Sequence, residues 1–237
     1  MNWTVGNEEA SGRMGMIADI HSNLYALKAV FESLDERGVD RVVCAGDVVG
    51  YGAHPNECCR EMRRRNVRSI AGNHDRASLV KETSRMNPYA AAAVIWTCDN
   101  LDEPSMRFLE SLPCRLDIAI GGEWPAAVFH GSDLDPDEYV YEDEVDLHIL
   151  KRCSTDLVVL GHTHVPFIAY LPGGRVINPG SVGQPRDGDS RASFAVLDTK
   201  SRRCDICRVE YDIAAEAEAI LNAGLPAVLA ERLQIGR

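Results

Sequence analysis

Residues 14–38 read MGMIADIHSNLYALKAVFESLDERG. The first seven are a short apolar run, which predicts a buried strand. Ser22 or Asn23 can cap a helix, and Leu24, Leu27, Phe31 and Leu34 then share one helical face. Gly38 supplies the stop. Outward from this strand-helix unit, residues 41–45 predict a second strand. Pro55 opens a helix running to about Arg65, and residues 67–71 predict a third strand. Strand, helix, strand, helix, strand in this order argues for parallel pairing with right-handed crossovers.

Residues 77–112 read as mostly helical. Two apolar runs, 115–120 and 126–129, flank a Gly-Gly turn region and predict a hairpin. Residues 133–146 hold eight Asp or Glu and read as a solvated loop and short helix that could cover a pocket. Residues 157–160 predict another buried strand. Runs 166–171 and 175–177, around Pro172-Gly173-Gly174, predict a second hairpin. Residues 192–198 and 205–210 are the closing strands, and residues 213–233 a last helix. This strand-rich second half predicts two sheets stacked face to face with helices outside. Residues 1–12 are polar and read as a disordered or appended leader. Residues 13–237 read as one domain.

The 237 residues suffice for a single large α/β domain. The formal net charge is −11, which disfavours extended binding to duplex nucleic acid. A small anionic substrate remains compatible, because bound divalent cations would reverse the local field. Neither a secretory leader nor an apolar run of membrane-spanning length is evident, so a soluble cytoplasmic protein is expected. The eight cysteines read as reduced thiols. Cys204 and Cys207 form a lone C-x-x-C pair, whereas a zinc ribbon needs a second pair.

Five polar segments each follow a predicted strand: Asp19-Ile20-His21, Gly46-Asp47, Gly72-Asn73-His74-Asp75, His130-Gly131 and Gly161-His162-Thr163-His164. Ligands of open α/β sheets sit at the carboxyl ends of the strands, so the five converge on one crevice. They contain five of the chain's seven histidines. Mixed nitrogen and oxygen donors suit manganese, iron, zinc or nickel rather than calcium or magnesium. The donors exceed what one ion needs. Two ions about 3.5–4 Å apart would use them all if one carboxylate bridges.

These segments, in this order, resemble the calcineurin-like metallophosphoesterase superfamily over residues 14–211. Asn178-Pro179-Gly180-Ser181 is similar to its small prokaryotic YfcE-like branch. The resemblance implies a four-layer α/β/β/α sandwich of two mixed sheets. It implies that Asp19, His21 and His164 hold one metal, that Asn73, His130 and His162 hold the other, and that Asp47 bridges. Manganese is the first candidate metal. His74 would act as the catalytic acid, oriented by Asp75, while a hydroxide bridging the two ions attacks phosphorus.

Asn178 and Ser181 read either as a simple turn or as lining of the phosphate pocket. Arg76 and Arg186 flank predicted site loops, where either could pair with phosphate. The plainer reading of both is a surface side chain, and Arg76 stands as the candidate. His54 reads as a loop residue and His148 as a solvated helix residue. The basic run from Arg60 to Arg68 reads as a solvated face. The expected activity is hydrolysis of small phosphodiesters or phosphomonoesters, nucleotides included. A dinucleoside polyphosphate hydrolase is the alternative within the enzyme class, and a non-catalytic scaffold the alternative outside it. His74 is the residue that separates the last two, and a homo-oligomer remains open.

Overall fold

The computed structural model describes residues 12–39, 41–121 and 124–237. The expected leader lies outside them except for Gly12, and so does Gly122 of the expected hairpin turn. The chain runs β1 (Arg13–Ile17), α1 (Leu24–Glu36), β2 (Arg41–Cys44), α2 (Pro55–Arg64), β3 (Arg68–Ser69), α3 (Asn73–Val80), α4 (Pro88–Asn100) and α5 (Glu103–Glu110). The second half runs β4 (Leu116–Ile120), β5 (Trp124–Val128), α6 (Ile149–Cys153), β6 (Leu157–Val159), β7 (Phe167–Leu171), β8 (Gly174–Asn178), β9 (Ala192–Asp198) and β10 (Cys204–Val209). Helices α7 (Ile213–Asn222) and α8 (Ala227–Ile235) follow.

Strand alternation sets the layers. Met14 and Met16 of β1 point one way into a core shared with Ala126 and Val128 of β5 and Leu157 and Val159 of β6. Ile17 points the other way, toward Leu27, Val30 and Phe31 of α1. Val158 of β6 likewise faces out, toward Ile149 and Leu150 of α6. The result is two five-stranded mixed sheets, ordered β10-β9-β1-β2-β3 and β4-β5-β6-β8-β7, stacked face to face with helices outside. The expected four-layer architecture is the one found. Pairing is parallel for β1 with β2, β2 with β3, β5 with β6 and β6 with β8, as the crossovers require. Gly15 allows α1 to approach closely, since a Cβ there would stand 3.0 Å from a Leu34 methyl.

Several local expectations change. β3 is only two residues long, because the Ala71 N–H turns to the Pro113 carbonyl at 2.8 Å instead of continuing along β2. The terminal helix is two helices. Gly224, at φ +72°, and Pro226 interrupt it, the first by reversing the backbone and the second by lacking an N–H. The third motif is not a loop before a helix: Asn73 and His74 are themselves the first turn of α3. The first strand ends at Ile17 rather than Ile20, and the Asn23 cap is found, its side chain accepting the Ala26 N–H at 3.0 Å. No helix among the described residues is long and apolar enough to cross a membrane.

Phe31 is 1% exposed between α1 and the first sheet, with the Arg65 guanidinium 4.5 Å from its ring centroid. Phe31→Ala is expected to lose about 3–5 kcal/mol in urea unfolding followed by circular dichroism. A loss under about 1 kcal/mol would contradict the packing described.

Candidate metal centre

The loops after β1, β2, β5 and β6 meet because they are hydrogen-bonded to one another. Asp19 N–H donates to the Gly46 carbonyl at 3.0 Å, and the Ile20 and His21 N–H groups donate to the Asp47 carbonyl at 2.8 and 3.0 Å. Gly161 N–H donates to the His130 carbonyl at 2.9 Å, within the second sheet. Two side chains tie the sheets together. The Asp19 carboxylate accepts the His162 N–H at 3.1 Å, and His130 Nδ1 donates to the Ala45 carbonyl at 2.8 Å. Left-handed backbone at non-glycine residues concentrates here: Asp19, His21, Asp47, His162 and His164 all have φ between 50° and 68°. Such conformations cost free energy and persist where surrounding bonds hold them.

Three sets of potential ligand atoms gather within 4.8 Å: Asp19, His21 and His164; His21, Asp47 and His74; Asp47, His130 and His162. All are buried. His21 links the first set to the second and Asp47 the second to the third, with Asp47 Oδ2 3.6 Å from His21 Nε2 and 3.3 Å from His130 Nε2. Asn73 joins the third set through its Oδ1, 2.9 Å from His130 Nε2.

Hydrogen bonding shows what the cluster fits. His21 Nδ1 faces the Val49 carbonyl at 3.3 Å, and His164 Nδ1 faces the Gln184 carbonyl at 2.6 Å. A carbonyl oxygen only accepts, so each Nδ1 carries the proton and each Nε2 keeps a lone pair. Those two Nε2 atoms stand 3.0 Å apart. His130 Nδ1 likewise donates to the Ala45 carbonyl, and its Nε2 faces two acceptors, Asp47 Oδ2 at 3.3 Å and the Asn73 oxygen, where either its own proton or a metal ion fits. The opposed lone pairs of His21 and His164 favour a cation between them. Imidazoles whose other N–H is held by a carbonyl are the usual metal-binding arrangement. The residues present therefore fit divalent metal.

The same crowding moves the proton affinities. Burial pushes Asp19 up to about 8 and His162 down to about 3, and holds His21 and His164 well below the ordinary imidazole value. His130 goes the other way. Burial disfavours its charged form, yet the Asp47 carboxylate outweighs that and lifts it to about 9. Asp47, despite burial, is held well below the usual carboxylate range by His130 and His74.

His74 lies edge-on to His21, ring centroids 4.8 Å apart. Its Nδ1 has no hydrogen-bond partner among the described residues. Burial lowers it to about 4. Asp75, expected to orient His74, is engaged by backbone donors. As the third residue of α3, Asp75 points back along the helix and accepts the Gly72 and Val49 N–H groups, each at 3.0 Å. It fastens the second and third motif loops together. Asn178 and Ser181 are fully buried. Asn178 donates to the Gly161 carbonyl at 2.8 Å, and Ser181 donates to the Asp19 carbonyl at 2.7 Å, so both support motif loops from behind. Arg76 is ion-paired with Asp137 and donates to the Ala71 carbonyl at 2.9 Å. His54 is held 3.2 Å from the buried Glu216 of α7, and His148 is exposed at the start of α6.

Two neighbours had no signal in the sequence. The Tyr51 ring lies 4.6 Å from His21 and 4.5 Å from His74. Tyr139, within the acidic segment, stacks on His162 with centroids 3.9 Å apart. That segment thus lies against the cluster.

The comparisons with known proteins agree with this architecture. The chain is 40% identical over 243 residues to the uncharacterized protein MJ0912 of Methanocaldococcus jannaschii, covering 94% of this chain and 98% of that one. A metallophosphoesterase crystal structure from Sphaerobacter thermophilus superposes with a TM-score of 0.82 at 37% identity, covering 95% of this chain and 99% of the other. The hypothetical protein PH1004 from Pyrococcus horikoshii OT3 shares the fold with a TM-score of 0.85 at 23% identity, over 95% and 98% of the two chains. The model of the calcineurin-like phosphoesterase superfamily domain matches residues 13–202, and with that match the chain belongs to the calcineurin-like phosphoesterase superfamily.

Proposed function

We propose that this protein is a metal-dependent phosphoric ester hydrolase acting on small phosphodiesters or phosphomonoesters, nucleotides among them. One observation carries the reading: the opposed, unprotonated Nε2 atoms of His21 and His164, 3.0 Å apart in a buried cluster that also holds Asp19, Asp47, His130 and His162. Two divalent transition ions, manganese first, match this donor set. Asp19, His21 and His164 would hold one, Asn73, His130 and His162 the other, and Asp47 both. When bound, the ions would supply Lewis acidity toward the phosphoryl oxygens and acidify a water to serve as nucleophile.

The chain's own residues do the rest. The carbonyls of Val49, Gln184 and Ala45 fix the imidazole tautomers. His74 N–H donates to Asp47 Oδ1 at 2.8 Å, so the first turn of α3 steadies the shared carboxylate. The His74 ring is the candidate acid for the leaving oxygen, because its Nδ1 is uncommitted while the Nδ1 atoms of His21, His130 and His164 are held by carbonyls. Geometry also puts His74 within ligand reach of His21 and Asp47, and metal stoichiometry separates the two roles.

His74→Ala is expected to keep two metals per chain by elemental analysis and to lose about 10²–10⁴-fold in turnover of bis-p-nitrophenyl phosphate. Wild-type turnover in that variant would rule out the acid role, and loss of one metal would make His74 a ligand. A Cβ on Gly72 would stand 2.0 Å from Asp47 Oδ1. Gly72→Ala is therefore expected to weaken metal affinity about 10–100-fold in a chelator competition, and unchanged affinity would remove Asp47 from the centre.

A further inference from the structure

Arg186 follows Gln184-Pro185 in the loop after β8, and its backbone is tied to the candidate centre: its N–H donates to the His164 carbonyl at 3.3 Å. Its side chain is aimed by neutral groups. One guanidinium nitrogen donates to Gln184 Oε1 at 3.1 Å and to the Tyr51 hydroxyl at 3.3 Å, and the guanidinium carbon lies 5.8 Å from the Tyr51 ring centroid. That ring is in turn against His21 and His74.

No carboxylate lies in ion-pair range of Arg186 among the described residues, although its surroundings are rich in acids. Asp187 is taken by Arg208 and Asp189 by Arg191. Across the centre, Asp137 is taken by Arg76. Arg186 is thus a partly buried cation with no ion-pair partner among the described residues, in a protein of net charge −11.

A guanidinium beside a site that fits two divalent cations is repelled by them unless an anion lies between. The planar fork of donors matches the oxygens of a phosphoryl group, and a fork already steadied by Tyr51 and Gln184 loses less freedom on binding.

We infer that Arg186, steadied by Tyr51 and Gln184, forms an anion subsite that takes a non-bridging phosphoryl oxygen of the substrate. The inference rests on the hydrolase reading of the same centre and adds the side chain that grips the phosphate. It also assigns to Arg186 what the sequence alone favoured for Arg76, whose guanidinium is occupied by Asp137.

The test uses the full-length, metal-loaded protein with inorganic phosphate as the probe. Isothermal titration calorimetry on Arg186→Gln is expected to show phosphate affinity reduced about 10–100-fold, the range for losing a hydrogen bond to a charged group. Arg186→Lys should retain part of the affinity, because the charge remains while the fork is lost. Metal content and thermal melting should match wild type, and with bis-p-nitrophenyl phosphate the Arg186→Gln defect should appear mainly in KM. Unchanged phosphate affinity in Arg186→Gln with metal intact overturns the inference, as does a wild-type protein that binds no phosphate. A wild-type protein that binds phosphate through Arg186 yet hydrolyses no ester sinks the hydrolase reading and leaves the subsite standing.

Discussion

The structure is organised around an electrostatic difficulty: two carboxylates and several unprotonated imidazole nitrogens are buried facing each other. Left alone, such a group is costly, since burial disfavours each charge and the lone pairs have no donors between them. Everything near the cluster compensates. Backbone N–H groups of His162 and His74 hold Asp19 and Asp47, and carbonyls hold the far nitrogens of His21, His130 and His164. What remains is a shortage of positive charge at the centre, which is the property of a site built for cations.

The price appears in the backbone. Asp19, His21, Asp47, His162 and His164 adopt left-handed φ angles that side-chain-bearing residues rarely take. Glycines relieve crowding where no side chain fits: Gly46, at φ +93°, passes 2.7 Å from the Gly72 nitrogen measured from an added Cβ. Asp75, Asn178 and Ser181 then secure the bent loops from behind. Their polarity therefore serves the shape of the centre, which is why all three look like site residues in the sequence.

Most of the fold was legible because the strands alternate or run apolar and because α1 and α2 begin at a cap and a proline. The polar segments that the structure gathers were legible for a related reason: each directly follows a strand, so strand order alone predicts that they converge. Direction within a helix was not legible. Asp75 neighbours His74 in sequence, but one residue of helical rotation turns it back to Gly72. Tyr51 and Tyr139 carried no signal, and Arg186 could not be told from Arg76, because a tyrosine or an arginine in a loop is ordinary until its orientation is known. The shortness of β3 depended on Pro113, a distant competitor for one N–H.

The bond from the His162 N–H to the Asp19 carboxylate spans 143 residues of chain. Contacts of such separation form slowly, since the intervening loop must close before they repay its entropy. During synthesis the amino-terminal half of the cage emerges first and waits for its partner. In a newly made chain the cluster of potential ligands is therefore complete only after the second sheet has docked against the first.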